Sequence, residues 1–231
     1  MAAIVFANKN GTRRISTRSE YLRTNGKTTF IGGSTDYTSF DEQGHMIIGG
    51  DTTIWDEVSQ PLIGRNVLVS VGRIDYNYDN LSLDFSTTAR YPEEPVGVVT
   101  QTLHARKAGS DIRPHLHWIQ AIDTIPNILI EYRFCNNGGV PTEWVLKPLT
   151  STDNLFPFVA GAQQITEFNL PEGHGTTLGL SGSFECKIYR DSANASGLFT
   201  GADAYAGVWE VKYYDIHIEM DSLGSREEFT K

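Results

Sequence analysis

Two histidines stand one residue apart in GSDIRPHLHW (109–118), at positions 115 and 117. Side chains alternate between faces along a strand, so an extended segment here aims His115 and His117 the same way. Paired imidazoles suit zinc, iron, nickel or copper. A catalytic centre would need at least one further protein ligand and an open position. His104, His217 and Glu219 are the candidates; His104 sits on the preceding predicted strand, across the turn-like ARKAGSDI. No glutamate follows the pair at the spacing of metal-binding β-barrels. The same alternation puts Leu116 and Trp118 on the opposite face. With those two in the core, His115 and His117 face outward or into a subunit interface, where amphipathic side chains are common. Pro114 fits a strand start or an edge. The expectation is therefore interface histidines, no metal and no cofactor. A structural or adventitious ion held by His115 and His117 at an oligomer axis is the alternative.

Other chemistry finds less support. The Gly-x-Ser-x-Gly elbow is absent, and GLSGS (179–183) is a glycine-rich strand segment with no helix to follow it. Cys135 and Cys186 fit no zinc spacing. Both lie on strand-like runs and read as buried thiols, with a disulfide open to them if the strands are neighbours. Acidic pairs such as Asp56-Glu57 and Glu93-Glu94 read as solvated surface. No phosphate loop or dinucleotide fingerprint occurs. IDYNYDN (74–80) and KYYDIH (212–217) set aromatics beside polar groups, as a sugar-stacking platform would, but core or subunit contacts explain them equally well. The residues point away from an enzyme.

The elements that must position these residues are strands. The 231 residues are 39% hydrophobic and 20% charged, with 22 glycines and 11% aromatics, a balance that favours strands and turns. Period-two runs follow one another: NVLVSVG (66–72), LSLDF (81–85), VGVVTQTLH (96–104), RPHLHWIQ (113–120), NILIEYRF (127–134), TEWVLKPL (142–149), QQITEFNL (163–170), SGSFECKIYR (181–190) and GVWEVKYYDIHIEM (207–220). Leu81, Leu83 and Phe85 share one face. In the last run Tyr214, Ile216, Ile218 and Met220 oppose Asp215, His217 and Glu219, which places Ile216 and Ile218 in the core with Leu116 and Trp118. YPEEP, CNNGGVP and LPEGHG mark turns. A short helix near 55–64 or 192–206 is the most that the pattern allows. The expected fold is all-β, an antiparallel two-sheet sandwich of jelly-roll type over residues 54–231. Residues 1–53, rich in Gly, Thr, Ser and Asn, read as an extended N-terminal arm used for attachment.

The formal charge of −9 argues against nucleic acid as a partner. The basic cluster Arg13, Arg14, Arg18, Arg23 and Lys27 reads as a solvated arm. No apolar run reaches the roughly 20 residues of a membrane span. MAAIVFANKNG has no basic region before its short apolar run, so no signal peptide is expected.

Three stretches resemble a family of tailed-bacteriophage virion structural proteins. They are TTIWDEVSQPLIG (52–64), like the family's Trp-Asp-(Asp/Glu)-x-x-x-Pro; GSDIRPHLHWIQ (109–120), like its Gly-Ser-Asp-Ile-x-Pro-His-x-His-Trp; and YYDIHIEMDSLGSREEFTK (213–231), like its closing Asp-(Ser/Thr)-Leu-Gly-Ser-Arg-x-Glu. KIYRD (187–191) and DAYAGVW (203–209) fall between them in family order. The likeness spans about residues 52–231. It implies a β-sandwich assembled as a homotrimer on the virion, as a capsid cement or decoration protein or as a neck, collar or fibre component, the last with a host glycan as ligand. The N-terminal segment would then clamp the major capsid protein or portal and neck proteins. On this resemblance His115 and His117 face a neighbouring subunit or the trimer axis, Asp111 and Arg113 order the turn before them, and Arg226, with Asp221 and Glu227, makes similar interface contacts.

Overall fold

Short runs of β-branched and aromatic residues, cut by glycine, proline and asparagine, form strands throughout. The computed structural model describes residues 5–8, 11–14, 28–31, 37–40, 46–49, 54–62, 68–69, 74–103, 106–157, 159–179, 181–220 and 222–223. The strands are β1 (Val5–Asn8), β2 (Gly11–Arg14), β3 (Thr28–Ile31), β4 (Tyr37–Phe40), β5 (Met46–Gly49), β6 (Ile54–Pro61), β7 (Leu68–Val69), β8 (Ile74–Asn77) and β9 (Ser82–Phe85). They continue as β10 (Val96–Gln101), β11 (Ile112–Ile119), β12 (Ile128–Cys135), β13 (Val145–Leu149), β14 (Gln163–Glu167), β15 (Ser183–Arg190), β16 (Trp209–Met220) and β17 (Ser222–Leu223). Among the described residues, helix is limited to a 3-10 turn at Ser151–Asp153 and one α-turn, α1 (His174–Thr177), and none is long or apolar enough to cross a membrane.

Neither stretch allowed a short helix takes one. Ile54–Pro61 is strand, and residues 192–206 are turns and irregular chain. Side chains there take the backbone donors that a helix would use. The Asp191 carboxylate accepts from Ala195 N (2.8 Å) and Ser196 N (3.0 Å), and Asn194 Oδ1 accepts from Phe199 N.

The chain divides into two compact units. One comprises Met1–Asp56, Leu103–Ala108 and Glu219–Lys231. Its described strands form an antiparallel sheet in the order β17-β5-β4-β3-β1-β2. The described residues of the segment expected as an extended arm are therefore paired strand, because its short runs satisfy one another's backbone groups. The expected division after residue 53 also shifts. β17 pairs with β5 (Leu223↔Met46), so Ser222 and Leu223 belong to this sheet and not to the sandwich. Lys107 joins the same unit by donating its backbone N–H to Glu219 O and its Nζ to the Glu219 carboxylate at 2.6 Å.

The other unit, Glu57–Thr102 and Gly109–Ile218, is an antiparallel two-sheet sandwich of jelly-roll type. One sheet runs β13-β12-β15-β10-β7 and the other β14-β11-β16-β9-β8, with β6 also paired to β16. Val96, Val98, Ile128, Ile130, Phe184 and Ile188 fill the core from the first sheet. Phe85, Leu116, Trp118, Trp209, Tyr214, Ile216 and Ile218, all 0% exposed, fill it from the second. Each such aliphatic side chain contributes roughly 1.5–3 kcal/mol by leaving water. Leu81 departs from its expected face: it is 65% exposed at φ 51°, while Ser82 is buried. The cause is the turn before β9, where Asn77 Oδ1 accepts from the backbones of Asp79 and Asn80 and carries Leu81 out of the strand. Cys135 and Cys186 are both free thiols. Their strands are neighbours, but Cys186 pairs with Tyr132 and Cys135 with Ser183, so the sulfurs are out of register.

A buried arginine ties the loop after β15 to the start of β16. Arg190, 1% exposed, donates Nε to Asp203 Oδ2 (2.7 Å), Nη1 to Gly207 O (2.7 Å) and Phe85 O (3.2 Å), and Nη2 to Tyr205 O. KIYRD and DAYAGVW, 12 residues apart in the chain, thus meet around one guanidinium.

Candidate functional site

β16 owes its two-faced character to a bulge. Its inward residues are Trp209 and Val211, then Tyr214, Ile216 and Ile218, a switch from odd to even positions. The register against β11 slips at the same place: Trp118 pairs with Val211 but His117 with Tyr213. One extra residue opposite β11 re-aims the rest of β16. As a result Tyr213, Asp215 and His217 lie on the face away from the sandwich core, the face that carries His115 and His117. His115 stands between Asp215 on β16 and Glu167 on β14, and His117 between Tyr213 and Ile165.

The histidines do not face outward. His115 is 4% exposed, His117 7% and Asp215 0%. Their partners come from the same chain, so the expectation that they meet a neighbouring subunit is corrected: the strand that pairs with β11 supplies a carboxylate across from them. His115 Nε2 makes a short ion-pair contact with Asp215 Oδ1, and His117 Nε2 lies 3.1 Å from Oδ2. His115 Nδ1 is 3.3 Å from Arg113 O, and Gln163 Nε2 is 2.8 Å from His117 Nδ1. Tyr213 stacks on His117 at 4.1 Å, and the His217 ring meets His115 edge-on at 4.5 Å. His217 in turn sits 3.6 Å from Glu57 on β6, and Glu57 approaches Asp215. Burial pushes the Asp215 carboxyl up, but the contacts with His115 and His117 outweigh it and hold the group well below the usual carboxylate range.

Closeness is not alignment at this cluster. His117 Nε2 and both Asp215 oxygens are buried without a hydrogen bond. One ligand atom each from His115, His117 and Asp215 lie within 4.8 Å of one another.

The other expected site residues scatter. Asp111 turns inward to α1, where its carboxylate accepts from Gly175 N (2.8 Å) and Gly173 N (3.3 Å) and lies 3.5 Å from His174 Nδ1. His174 accepts from Ile112 N at 2.9 Å and stacks on Phe134. Gly175 is required there, since a Cβ would fall 2.0 Å from Ser110 O. Arg113 is exposed, and its carbonyl faces His115. Leu116, Trp118, Ile216 and Ile218 are in the core. Of the further ligand candidates, Glu219 pairs with Lys107 in the other unit, while His104 and the interface candidate Arg226, with Asp221 and Glu227, lie outside the described residues. KYYDIH offers no stacking platform, because Tyr214 is fully buried and Tyr213 is covered by His117.

No family model matches the chain, and no curated protein matches it. Among solved structures, the chain is similar to a xylan-binding module, CBM15, at 13% identity and a TM-score of 0.37, over 72% of this chain and 97% of that one. It is similar to the mannan-recognising carbohydrate-binding module TmCBM27 at 12% identity and 0.33, over 72% and 98%. It is also similar to a chain of the infectious bursal disease virus Gx strain at 10% identity and 0.30, over 93% and 45%.

Proposed function

We propose that this chain is a non-enzymatic structural protein of a tailed-bacteriophage particle, a trimeric cement or decoration protein on the capsid surface. The observation that carries the reading is how the motif residues are used. Asp111 holds the α1 turn, Trp118 fills the core, and Arg190 joins KIYRD to DAYAGVW. A motif set used for scaffolding marks a shared architecture. His115, His117 and Asp215 are at most 7% exposed and offer a substrate no approach. The trimer contact would draw on exposed apolar groups such as Leu155, Phe156 and Val159, clustered in one loop at 52–56% exposure. Burying such groups yields about 25 cal/mol per Å² before association costs, so a cement acts through many modest contacts. The acidic charge suits an outer surface better than packaged DNA.

Native mass spectrometry of the purified chain, with immunogold labelling of gradient-purified particles, tests this. A trimer in solution and label on the head are expected. A monomer absent from particles overturns the reading, and label at the neck or fibre moves the protein to that station.

A further inference from the structure

We propose that His115, His117 and Asp215 form a binding site for one divalent transition-metal ion, with zinc as its reference member, which staples β11 to β16. The proposal stands on the isolated chain and is independent of the particle reading.

The first argument is charge. A carboxylate at 0% exposure is costly to bury unless a positive charge balances it.

The second argument is direction. His115 Nδ1 faces a backbone carbonyl, Arg113 O, so it carries the proton and donates. Its Nε2 is then the nitrogen directed at Asp215 Oδ1. An imidazole fixed through Nδ1–H to a backbone carbonyl, with Nε2 directed inward, is the usual arrangement of a metal-ligating histidine. His117 completes the set from two residues along the same strand face. Its Nδ1 is next to the Gln163 amide. Rotating that amide offers Oε1 to an Nδ1–H and leaves Nε2 for the metal; the amide orientation is otherwise set only by such bonding.

The third argument is the poor alignment of these atoms with one another. His117 Nε2, Asp215 Oδ1 and Asp215 Oδ2 make no hydrogen bond, although all are buried. Buried polar atoms are normally paired. Two imidazole nitrogens and a carboxylate oxygen within 4.8 Å of one another are near enough to share one ion at metal–ligand distances of about 2.0–2.2 Å after side-chain adjustment. Three protein ligands leave a coordination position for water.

The test uses the full chain, stripped with a chelator and titrated with zinc alone. One zinc per chain by native mass spectrometry is expected. So is a rise in Tm of roughly 5–10 °C at a hundredfold excess over Kd. His117→Gln and Asp215→Asn, checked for wild-type circular dichroism, should lose both. Should neither fold, the cobalt-loaded wild type decides, since tetrahedral nitrogen–oxygen ligation gives intense visible bands and hexaaqua cobalt does not. Folded wild-type chain that binds no zinc or cobalt overturns the site. So does an equal Tm rise in the wild type and in Asp215→Asn, which would place the ion elsewhere.

Discussion

Arg190 and the His115–His117–Asp215 cluster are both buried polar groups in the sandwich unit, yet they are solved in opposite ways. Arg190 meets an aspartate and three backbone carbonyls, and its fork geometry aligns with each. The histidine cluster brings its atoms equally close and aligns none of Asp215's oxygens. A buried charge with every partner in place is scaffold. One whose partners converge without pairing is shaped for a group outside the chain.

The largest effect that tests the contrast is at the arginine. Arg190→Met removes the guanidinium paired to Asp203 and strands the carbonyls of Phe85, Tyr205 and Gly207 in the interior. Breaking one side of a buried pair costs about 3–5 kcal/mol. Urea unfolding of the variant should show that loss. A cost below about 1 kcal/mol would remove the scaffold half of the comparison.

The histidine cluster should respond differently when it is removed whole. With zinc chelated, the triple variant His115→Leu, His117→Leu, Asp215→Val is expected within about 1 kcal/mol of the wild type, or more stable, because apolar packing replaces a charge that nothing balances. The same denaturation experiment reads it. A loss above about 3 kcal/mol would make this cluster scaffold too, and the two regions would no longer differ in kind.

The sequence carried most of the sandwich and only half of this site. Period-two runs such as NILIEYRF and SGSFECKIYR are direct records of one buried face, and β12 and β15 lie where those runs do. The His pair was visible for the same reason. Its partner was not, because Asp215 is about 100 residues away and only antiparallel register brings it opposite His115. One signal of it lies in the sequence: the inward set of GVWEVKYYDIHIEM changes parity between Val211 and Tyr214, which is the trace of the bulge that turns Asp215 toward the histidines. His104 stood out by nearness in sequence, which strand pairing does not respect, and Glu219, on the same run as Asp215, pairs with Lys107 instead. The N-terminal sheet was harder still. Runs of four residues between glycines bury too little individually to announce a sheet, and the pairing of β17 with β5 joins opposite ends of the chain.

Asp111 gives the smallest effect and separates two roles for the same residue. Its carboxylate is partly exposed and accepts from two backbone amides of the α1 turn, so it lies between the closed arginine and the unpaired aspartate. Asp111→Ala should cost about 0.5–2 kcal/mol, in the range of a lost helix cap, and speed hydrogen exchange at the Gly175 amide. That loss would appear in the subunit's own unfolding and leave its oligomeric state unchanged. Were Asp111 instead an interface residue, the variant would keep the Gly175 protection and shift the oligomer toward monomer in native mass spectrometry. Exchange and assembly measured on the same variant therefore decide whether the turn before β11 serves the fold or the neighbour.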